Sequence, residues 1–559
     1  MRLRSLGMVL IVFFVFGVVG ISGVMAGDSQ SYWVESLSDG GWVRLTSSTQ
    51  LGDGSVVAVG WIAEERYNGD LLVVKFSKYG TVEWAKRYGG PKDDYATGVA
   101  IGPNGDIIVV GATQSYGAGS YDLWVLRLYP DGRVRWQRTY GGSGDDRAMG
   151  VAIDANGKII VVGGTTSFGS SPGKSSDLWA LKLSGTGDVV WSRTYGRTNW
   201  DWGTSVTTDG DGNIYVGGIY WESVSAPYSP FGKGGDAWIL KLGPSGNVIW
   251  NRIFGDVGNE WVADIGLLGG DVVFVGSTNS FGAGDYDLFL GRMNSSGELE
   301  WMWTYGGPKK DVGTSITVFN PSCAFAVGYT YSDPELSGPK ALVVSFSPEK
   351  GRADWLRVYG GPGGERAYGV WAFPKAFTVV GKTTSFGNGQ ENGWILRLQI
   401  SGVLFKDGVR DSNLVSKVFK PWKYEIKPRT VSPNLIVKAP NPSVTPSDAA
   451  PRTVEFKVTL QYYHGAPPET STTTSSASPS TTSTTSTLTS STSTAVSSTT
   501  TTVSETHTSS TLTPIKTSSS TTSRRSSTTE TVAESNKGGI CGPGLVLLLA
   551  LGVFFMRRR

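Results

Sequence analysis

The sequence predicts an all-β fold: a seven-bladed β-propeller of four-stranded blades, followed by a small Pro-rich or β segment, a disordered Ser/Thr-rich stalk and a short C-terminal hydrophobic anchor. Three observations predict the propeller. One tryptophan-centred motif recurs seven times at spacings of 51–59 residues, each unit holds four short strand-like runs, and glycine supplies 76 of 559 residues, nearly twice its ordinary share. Such units are typical of propeller blades, and no run is long enough for an ordinary helix.

The repeat unit is centred on a tryptophan, as in Trp136-Gln-Arg-Thr-Tyr-Gly-Gly. The seven equivalent tryptophans are Trp33, Trp84, Trp136, Trp191, Trp250, Trp301 and Trp355. In the second unit the predicted strands, A to D, are Thr97–Ile101, Asp106–Ala112, Asp122–Tyr129 and Arg133–Tyr140. Asn104-Gly105 and Asp131-Gly132 predict tight hairpin turns, because such pairs tolerate positive φ angles. A linear β-solenoid is the alternative, but its repeats are usually shorter.

The register of the repeat predicts how the ring closes. Residues 31–37 resemble an isolated strand D ahead of the first A–B–C set, and the last unit supplies A, B and C up to Leu398. The first and last segments can then share one blade. Val403–Phe405 is a rival strand D, so the sequence leaves open which terminus closes the ring.

The two ends of the chain predict a location outside the cell. Arg2 and Arg4 precede an apolar stretch that ends in Val24-Met25-Ala26, a small-residue cleavage site, so residues 1–26 are expected to be a signal peptide. An uncleaved membrane anchor is the alternative. The propeller is then expected at 27–405, a Pro-rich neck or small β add-on at 406–469, the stalk at 470–535 and the anchor signal at 536–559.

The stalk and the anchor follow from composition. Ser or Thr occupies 48 of the 66 positions in 470–535, so this segment cannot bury apolar surface and should be a disordered, mucin-like stalk. Leu545–Met556 is apolar but shorter than the ~20 residues of a membrane-spanning helix, and Arg557–Arg559 follow it.

Composition and charge exclude several functions. The chain has only two histidines and two cysteines, which argues against histidine-rich metal centres and disulfide scaffolds. The formal charge of +3 includes five terminal arginines; without those segments 45 basic residues face 47 acidic ones, so no nucleic-acid partner is expected. No cofactor or metal is expected either. The Asp209-Gly-Asp-Gly-Asn213 segment only weakly favours a bound cation such as calcium, because it lacks the distal glutamate of a calcium loop.

Two segments resemble known families. Cys541-Gly-Pro-Gly544, with the apolar run and final arginines, resembles the Cys-Gly-Pro C-terminal sorting signal (CGP-CTERM) of surface proteins from Thermococcus-like, hyperthermophilic archaea. That resemblance implies a lipoprotein anchored through Cys541, with its tail removed; an intact transmembrane helix is the alternative. Gly163–Gly169, Gly276–Gly282 and Gly381–Gly387 share Gly-x-Thr-x-Ser-Phe-Gly and resemble bacterial-type β-propeller repeats, which implies a propeller but no single activity.

An acidic residue lies ten positions after six of the seven repeat tryptophans: Asp94, Asp146, Asp201, Glu260, Asp311 and Glu365. The first unit has Val43 there. This position falls between strand D of one blade and strand A of the next, so the acids are expected at the channel mouth. They could bind a cation or sugar hydroxyls. A structural ion-pair network is favoured instead, because basic residues also recur in register: Lys75, Arg127, Lys182, Lys241, Arg292 and Arg397, and Lys86, Arg138, Arg193, Arg252 and Arg357.

Irregular positions are the other candidates, because a repeated scaffold does not require them. The longest predicted B–C loop, 219–235, and a nearby D–A loop hold aromatic residues that could stack on sugars or anchor a partner: Trp200, Trp202, Tyr220, Trp221, Tyr228 and Phe231, beside Glu222. The alternative is that they pack the loop onto the body. Asn294-Ser-Ser296 is a glycosylation sequon, and Cys323 is expected in the core.

The sequence therefore predicts an extracellular, membrane-anchored propeller that acts as a non-catalytic binding or adhesion protein, with glycans or other surface proteins as partners. The first alternative is an extracellular polysaccharide-acting enzyme that uses Glu222, Asp201 and Glu260 as acid and base. The second is a purely structural component of the envelope.

Overall fold

Seven antiparallel sheets make up the part of the chain that the computed structural model describes. That part comprises residues 33–38, 41–64, 68–196, 199–221, 235–256, 258–333, 338–386 and 390–401, and seven short strands between 415 and 462. Each sheet has five strands, which we name A to E in the order of their hydrogen bonding. Strand A of each blade lies beside strand A of the next, so these strands surround the axis of a seven-bladed propeller.

The strands of blades 1 to 7 have the following bounds. Strand A is Trp42–Gln50, Asp94–Ile101, Asp146–Ile153, Trp202–Thr208, Glu260–Leu268, Asp311–Asn320 and Glu365–Phe373. Strand B is Val56–Ala63, Ile107–Thr113, Ile159–Thr165, Ile214–Trp221, Asp271–Thr278, Cys323–Thr330 and Ala376–Thr383. Strand C is Asp70–Phe76, Asp122–Leu128, Asp177–Leu183, Gly235–Leu242, Asp287–Met293, Lys340–Ser347 and Asn392–Gln399. Strand D is Val82–Tyr88, Val134–Gly141, Val189–Gly196, Val248–Gly255, Leu299–Gly306, Arg352–Gly360 and, in blade 7, Trp33–Ser38.

The N-terminal strand closes the ring. Trp33–Ser38 pairs with strand C of the last unit, from Trp33 opposite Arg397 to Leu37 opposite Gly393. Of the two closures that the sequence left open, this pairing supports the one by the N-terminal strand. The rival strand, Val403–Phe405, lies outside the described residues. The four strands predicted for the second unit are also confirmed to within three residues at every boundary.

The hairpin turns have the predicted backbone. In the turn after strand A of blade 2, Asn104 and Gly105 have φ angles of 64° and 76°. Pro103–Gly105 forms a single 3₁₀ turn, and it is the one helical element among the described residues. The A–B and C–D turns lie on the face of the propeller opposite the channel mouth.

A fifth strand, E, lies outside strand D in every blade and comes from one segment after the propeller repeats. For blades 1 to 7 it is Val454–Glu455, Ser443–Pro446, Ile436–Lys438, Arg429–Val431, Trp422–Glu425, Val415–Val418 and Thr459–Tyr462. The chain therefore visits blade 6 first, runs backward around the ring to blade 1, and ends on blade 7. We call this segment, 415–462, the belt. The sequence predicts two strand-like runs here, Leu435–Lys438 and Val454–Tyr463. The first contains the belt strand of blade 3, and the second contains two belt strands, those of blades 1 and 7.

The core lies between blades, and this explains the weak polar–apolar alternation of the strands. In strand C of blade 2, Leu123 and Val125 pack with residues of blade 3, whereas Trp124 and Leu126 pack with residues of blade 1. All four side chains have no exposed surface. A strand covered on both faces needs apolar residues at consecutive positions.

The repeated Trp and Tyr join neighbouring blades. Nε1 of Trp136 donates to the carbonyl of Gly185 at 3.0 Å, and the hydroxyl of Tyr140 donates to the carbonyl of Gly187 at 2.5 Å. Both acceptors belong to the C–D turn of blade 3. The repeated Trp and Tyr therefore join one blade to the next by hydrogen bonds.

The predicted targeting segments, 1–26 and 536–559, lie outside the described residues, and so does a second structural unit, 469–537, which carries the predicted stalk. Within the described residues no helix has the length and apolar character needed to cross a membrane.

Candidate functional site

The six repeated acids lie at the channel mouth, where strand D of one blade connects to strand A of the next. All six have no exposed surface: Asp94, Asp146, Asp201, Glu260, Asp311 and Glu365. Burial of a carboxylate is costly unless hydrogen bonds replace its water. The positions of the donors therefore decide what these acids do.

Asp146 shows how the hydrogen bonds are made. Its carboxylate accepts hydrogen bonds from the hydroxyls of Thr165 and Ser167, the latter at 2.6 Å, and from the amide of Gly142 at 2.8 Å. Thr165 and Ser167 are the Thr and Ser of the Gly-x-Thr-x-Ser motif, which ends strand B of the same blade. The motif and the acid thus form one structural unit, which we call the carboxylate clamp.

The clamp recurs in four other blades, 2, 5, 6 and 7. Ser115 donates to Asp94 at 2.7 Å, Thr278 to Glu260 at 2.6 Å, Ser332 to Asp311 at 2.8 Å and Thr383 to Glu365 at 2.9 Å. Burial raises the pKa of Asp94, Asp146, Glu260 and Asp311, and the hydroxyl and amide donors oppose that increase. The oxygens of these carboxylates point toward donors of the protein and not toward solvent. They hold the loop between strands D and A against the end of strand B.

The predicted ion pairs between the acids and the repeated bases are replaced by a different arrangement. Arg127 pairs with Asp106 at 2.6 Å and Lys182 with Asp154 at 2.9 Å, at the far end of the strands. The reason is the strand length: Arg127 lies five residues along strand C from the mouth, which is about 17 Å. Among the described ion pairs, the one that includes a clamped acid joins Glu365 to Lys340 at 3.4 Å.

A second set of carboxylates lies at the start of strand C in five blades, at the first residue in four of them and at the second in blade 4: Asp70, Asp122, Asp177, Asp236 and Asp287. A Cβ atom at Gly141 would lie 2.1 Å from Oδ1 of Asp122 and 2.8 Å from Oδ2 of Asp146, so only glycine fits between the two carboxylates. Burial and the charge of Asp146 raise the pKa of Asp122 to about 6. Burial and the charge of Asp311 raise the pKa of Asp287 to about 7.

The residues directly after the repeated acid position differ from blade to blade, and three of them, Arg44, Tyr95 and Arg366, line cavities at the mouth. In blades 1 to 7 they are Arg44, Tyr95, Arg147, Trp202, Trp261, Val312 and Arg366. Sequence reasoning missed this ring. The sequence feature that could have identified these positions is their variation at a fixed place in the repeat. The scaffold does not require a particular residue there, so the position is available for contacts with a ligand.

Two cavities open at this mouth. One of about 620 Å³ lies among blades 5, 6 and 7 and is lined by Lys309, Lys310, Tyr329, Tyr331 and Arg366, with Asp285 and Pro308. The other, of about 360 Å³, lies at blades 1 and 2 and is lined by residues that include Arg44, Trp61, Tyr95 and Tyr121. Both combine cationic and aromatic side chains.

The residues of the predicted aromatic loop fall into two groups: some are buried in the core, and the others lie outside the described residues. Tyr220 and Trp221 are 4% and 2% exposed. Tyr220 packs edge-on against Trp238, and Trp221 belongs to a cluster against which Trp200 and Trp202 pack. Glu222, Tyr228 and Phe231 lie outside the described residues. The described members of the set therefore pack on the body.

The carboxylates proposed for the enzyme alternative are enclosed. Asp201 accepts a hydrogen bond from the amide of Trp221 at 3.1 Å, and Glu260 accepts from Thr278 and from the amide of Asp256. Acid–base catalysis requires a carboxyl group that contacts the substrate. Neither side chain has surface at which a polysaccharide could make that contact.

The remaining sequence candidates have local roles. The carboxylate of Asp209 accepts from the amides of Asp211 and Asn213 and from the hydroxyl of Tyr215, so it stabilises its own hairpin. The described residues contain no group of three or more His, Cys, Asp or Glu side chains placed to bind a metal ion. Asn294 is part of an exposed C–D turn, and Cys323 is buried in the core.

Asp264 is a channel residue that sequence reasoning also missed. It occupies a position where other blades have Gly or Ser, and its carboxylate accepts from Ser205 of blade 4 and Ser315 of blade 6, at 2.5 and 2.8 Å. Burial raises its pKa. This carboxylate connects three blades around the axis.

Comparisons with known proteins give neither a family nor an activity for this chain. No family model matches the chain. The regulatory protein FlaEY of Caulobacter vibrioides is 26% identical over 310 residues, which are 53% of this chain and 30% of that protein, so the chain spans less than a third of that relative.

Among solved structures, the phage phi92 endosialidase has 10% identity and a TM-score of 0.36, with 70% of this chain and 75% of that one covered. Sqt1 of Chaetomium thermophilum has 11% identity and a TM-score of 0.36, with 69% and 90% covered. These likenesses are too low to support any statement about activity.

Proposed function

We propose that this chain is a non-catalytic binding protein of the cell surface, which is anchored to the membrane by its C terminus and presents the mouth of its propeller to glycans or other surface proteins. One observation carries the proposal: the repeated mouth carboxylates are buried and turned toward the hydroxyls and amides of their own blades. The mouth therefore offers cationic and aromatic side chains to a ligand, and its carboxylates hold the loops that carry them.

The absence of catalysis is tested in one assay. The full chain is incubated with immobilised acidic and neutral polysaccharides, and both retention and released reducing ends are measured. We expect retention without release. Release of reducing ends by the wild-type chain that disappears in Asp201→Asn or Glu260→Gln would establish the enzyme alternative instead.

The anchor is tested with the two cysteines of the chain. Cys541→Ser should transfer the protein from the membrane fraction to the medium, because it removes the atom proposed to carry the lipid. Cys323→Ser is the matched control and should leave the protein in the membrane fraction, since this thiol is buried in the propeller. Retention of the Cys541→Ser variant on membranes would contradict the lipid anchor.

A further inference from the structure

The larger mouth cavity, of about 620 Å³, contains a cation, Arg366, that forms no ion pair with any of the described residues. Arg366, the second residue of strand A in blade 7, lines this cavity with Tyr329 and Tyr331 of blade 6. Its Nη2 donates to the hydroxyl of Tyr331 at 2.7 Å, and its guanidinium carbon lies 4.8 Å from the centre of the Tyr329 ring. The two tyrosines hold the guanidinium in place without neutralising it.

Arginines at the same repeat position in other blades do have counterions. Arg147 of blade 3 pairs with Asp145 at 2.8 Å, and Arg44 of blade 1 pairs with Glu391 at 2.8 Å. Blade 7 has Gly364 at the position of Asp145. In the described part of the chain no carboxylate pairs with Arg366, and its Nε has no acceptor.

The backbone at Gly364 would accept an aspartate. The amide of Gly364 donates to Thr384 at 2.7 Å, just as the amide of Asp145 donates to Thr166 at 2.6 Å. A Cβ atom at Gly364 would lie 3.1 Å from Pro339 and 3.6 Å from Thr384, which calls for a shift of a few tenths of an ångström. The missing counterion is thus a property of this blade's sequence and not of its backbone geometry.

Other groups in the cavity add positive charge and ring surface. Lys309 and Lys310 line it from the loop between blades 5 and 6, and Asp285 is the one carboxylate among its described lining residues. The ammonium of Lys310 lies 5.0 Å from the centre of the Tyr286 ring. The described lining therefore carries three cationic side chains against one anionic side chain.

We propose that this cavity binds a carboxylate-bearing sugar residue of an acidic polysaccharide, an inference that rests on the binding function proposed above. A guanidinium matches the two oxygens of a carboxylate, so the ligand supplies the counterion that Asp145 supplies to Arg147. The lysines add attraction to neighbouring acidic residues of the polymer, and the tyrosine rings contact the face of the sugar. The cavity volume lies within the range of ~300–1,000 Å³ of small-ligand sites.

The test measures binding of the full chain to oligogalacturonate by titration calorimetry at low and moderate salt. Arg366→Gln should weaken binding at least tenfold, and Lys309→Gln with Lys310→Gln should weaken it and reduce its salt dependence. Gly364→Asp should also weaken binding at least tenfold, because it supplies an internal counterion and leaves every lining side chain in place. Arg133→Gln, beside a C–D turn on the opposite face of the propeller, is the matched control and should bind like the wild type, and thermal unfolding checks that each variant is folded.

Any one of the following outcomes would overturn the site. Unchanged affinity in Arg366→Gln or Gly364→Asp places the ligand elsewhere. Equal affinity for methyl-esterified oligogalacturonate would show that the carboxylate is not recognised. Binding of dextran sulfate but not of oligogalacturonate would show that the cavity recognises a sulfate group. If the wild type binds neutral glycans but not oligogalacturonate, the proposed site is wrong and the proposed binding function remains. If it binds no glycan, the proposal that glycans are ligands of this protein is wrong as well.

Discussion

At the scale of single residues, the propeller mouth depends on buried carboxyl groups whose hydrogen bonds come from protein donors and not from water. Asp146 needs the hydroxyls of Thr165 and Ser167 to do so, and Asp122 approaches it across Gly141. The sequence showed each of these residues as a repeated position. It did not show which ones touch, because the acid and its hydroxyl donors come from different strands.

Asp287 supplies a pH prediction at this scale. Its folded pKa of about 7 lies above that of an unfolded aspartate, so the folded state binds the proton more tightly. The contribution is therefore fully favourable below about pH 4 and is lost as the pH rises toward 7. Asp287→Asn should stabilise the protein at pH 8 by more than about 1 kcal/mol, the equivalent of one pKa unit, and have little effect at pH 4.

Thermal unfolding between pH 4 and 8 measures this effect. Asp211→Asn, at an exposed turn, is the control and should show no such dependence on pH. A stabilisation by Asp287→Asn that is equal at both pH values would mean that the charge of Asp287 is not its origin.

At the scale of elements, the belt is the least expected feature. Its first five strands begin at residues 415, 422, 429, 436 and 443, one every seven residues. The sequence between 406 and 469 showed prolines and two strand-like runs but no repeat comparable to the blades. In the sequence, Pro421 directly precedes the belt strand Trp422–Glu425, and Pro428 directly precedes Arg429–Val431.

The belt covers the outer edge of each blade, and its removal has a specific expected result. A chain that ends at residue 405 should unfold at a lower temperature than one that ends at 468, and it should self-associate. The reason is that an uncovered strand D presents unpaired amides and carbonyls to other copies. Differential scanning calorimetry and light scattering measure the two effects; equal unfolding temperatures and equal masses would show that the belt is not needed at the edges.

At the scale of the whole molecule, closure of the ring joins residues that are far apart in sequence. Trp33–Ser38 lies between strand C of the last unit and the final belt strand, so both ends of the folded region meet in blade 7. This arrangement makes the N-terminal strand the point on which the ring and the belt both depend.

A chain that begins at residue 41 should therefore lose more stability than its short deletion suggests. We expect a loss above about 4 kcal/mol in urea unfolding, the size that accompanies loss of a structural element, because blade 7 then lacks strand D and the last belt strand lacks its partner. A chain that begins at residue 33 is the control. Equal urea midpoints for the two chains would argue against closure by this strand.

The sequence by itself determined the number of blades and the order of strands in each blade, because these follow from local patterns repeated about every fifty residues. Only the tertiary structure decided that the mouth acids bind hydroxyls and not the repeated bases, that the N-terminal strand closes the ring, that the belt runs backward around it, and that Arg366, unlike Arg147, pairs with no carboxylate among the described residues. Each of these depends on which strand ends meet in space, and a repeat pattern places strands in order without stating which side chains their ends bring into contact.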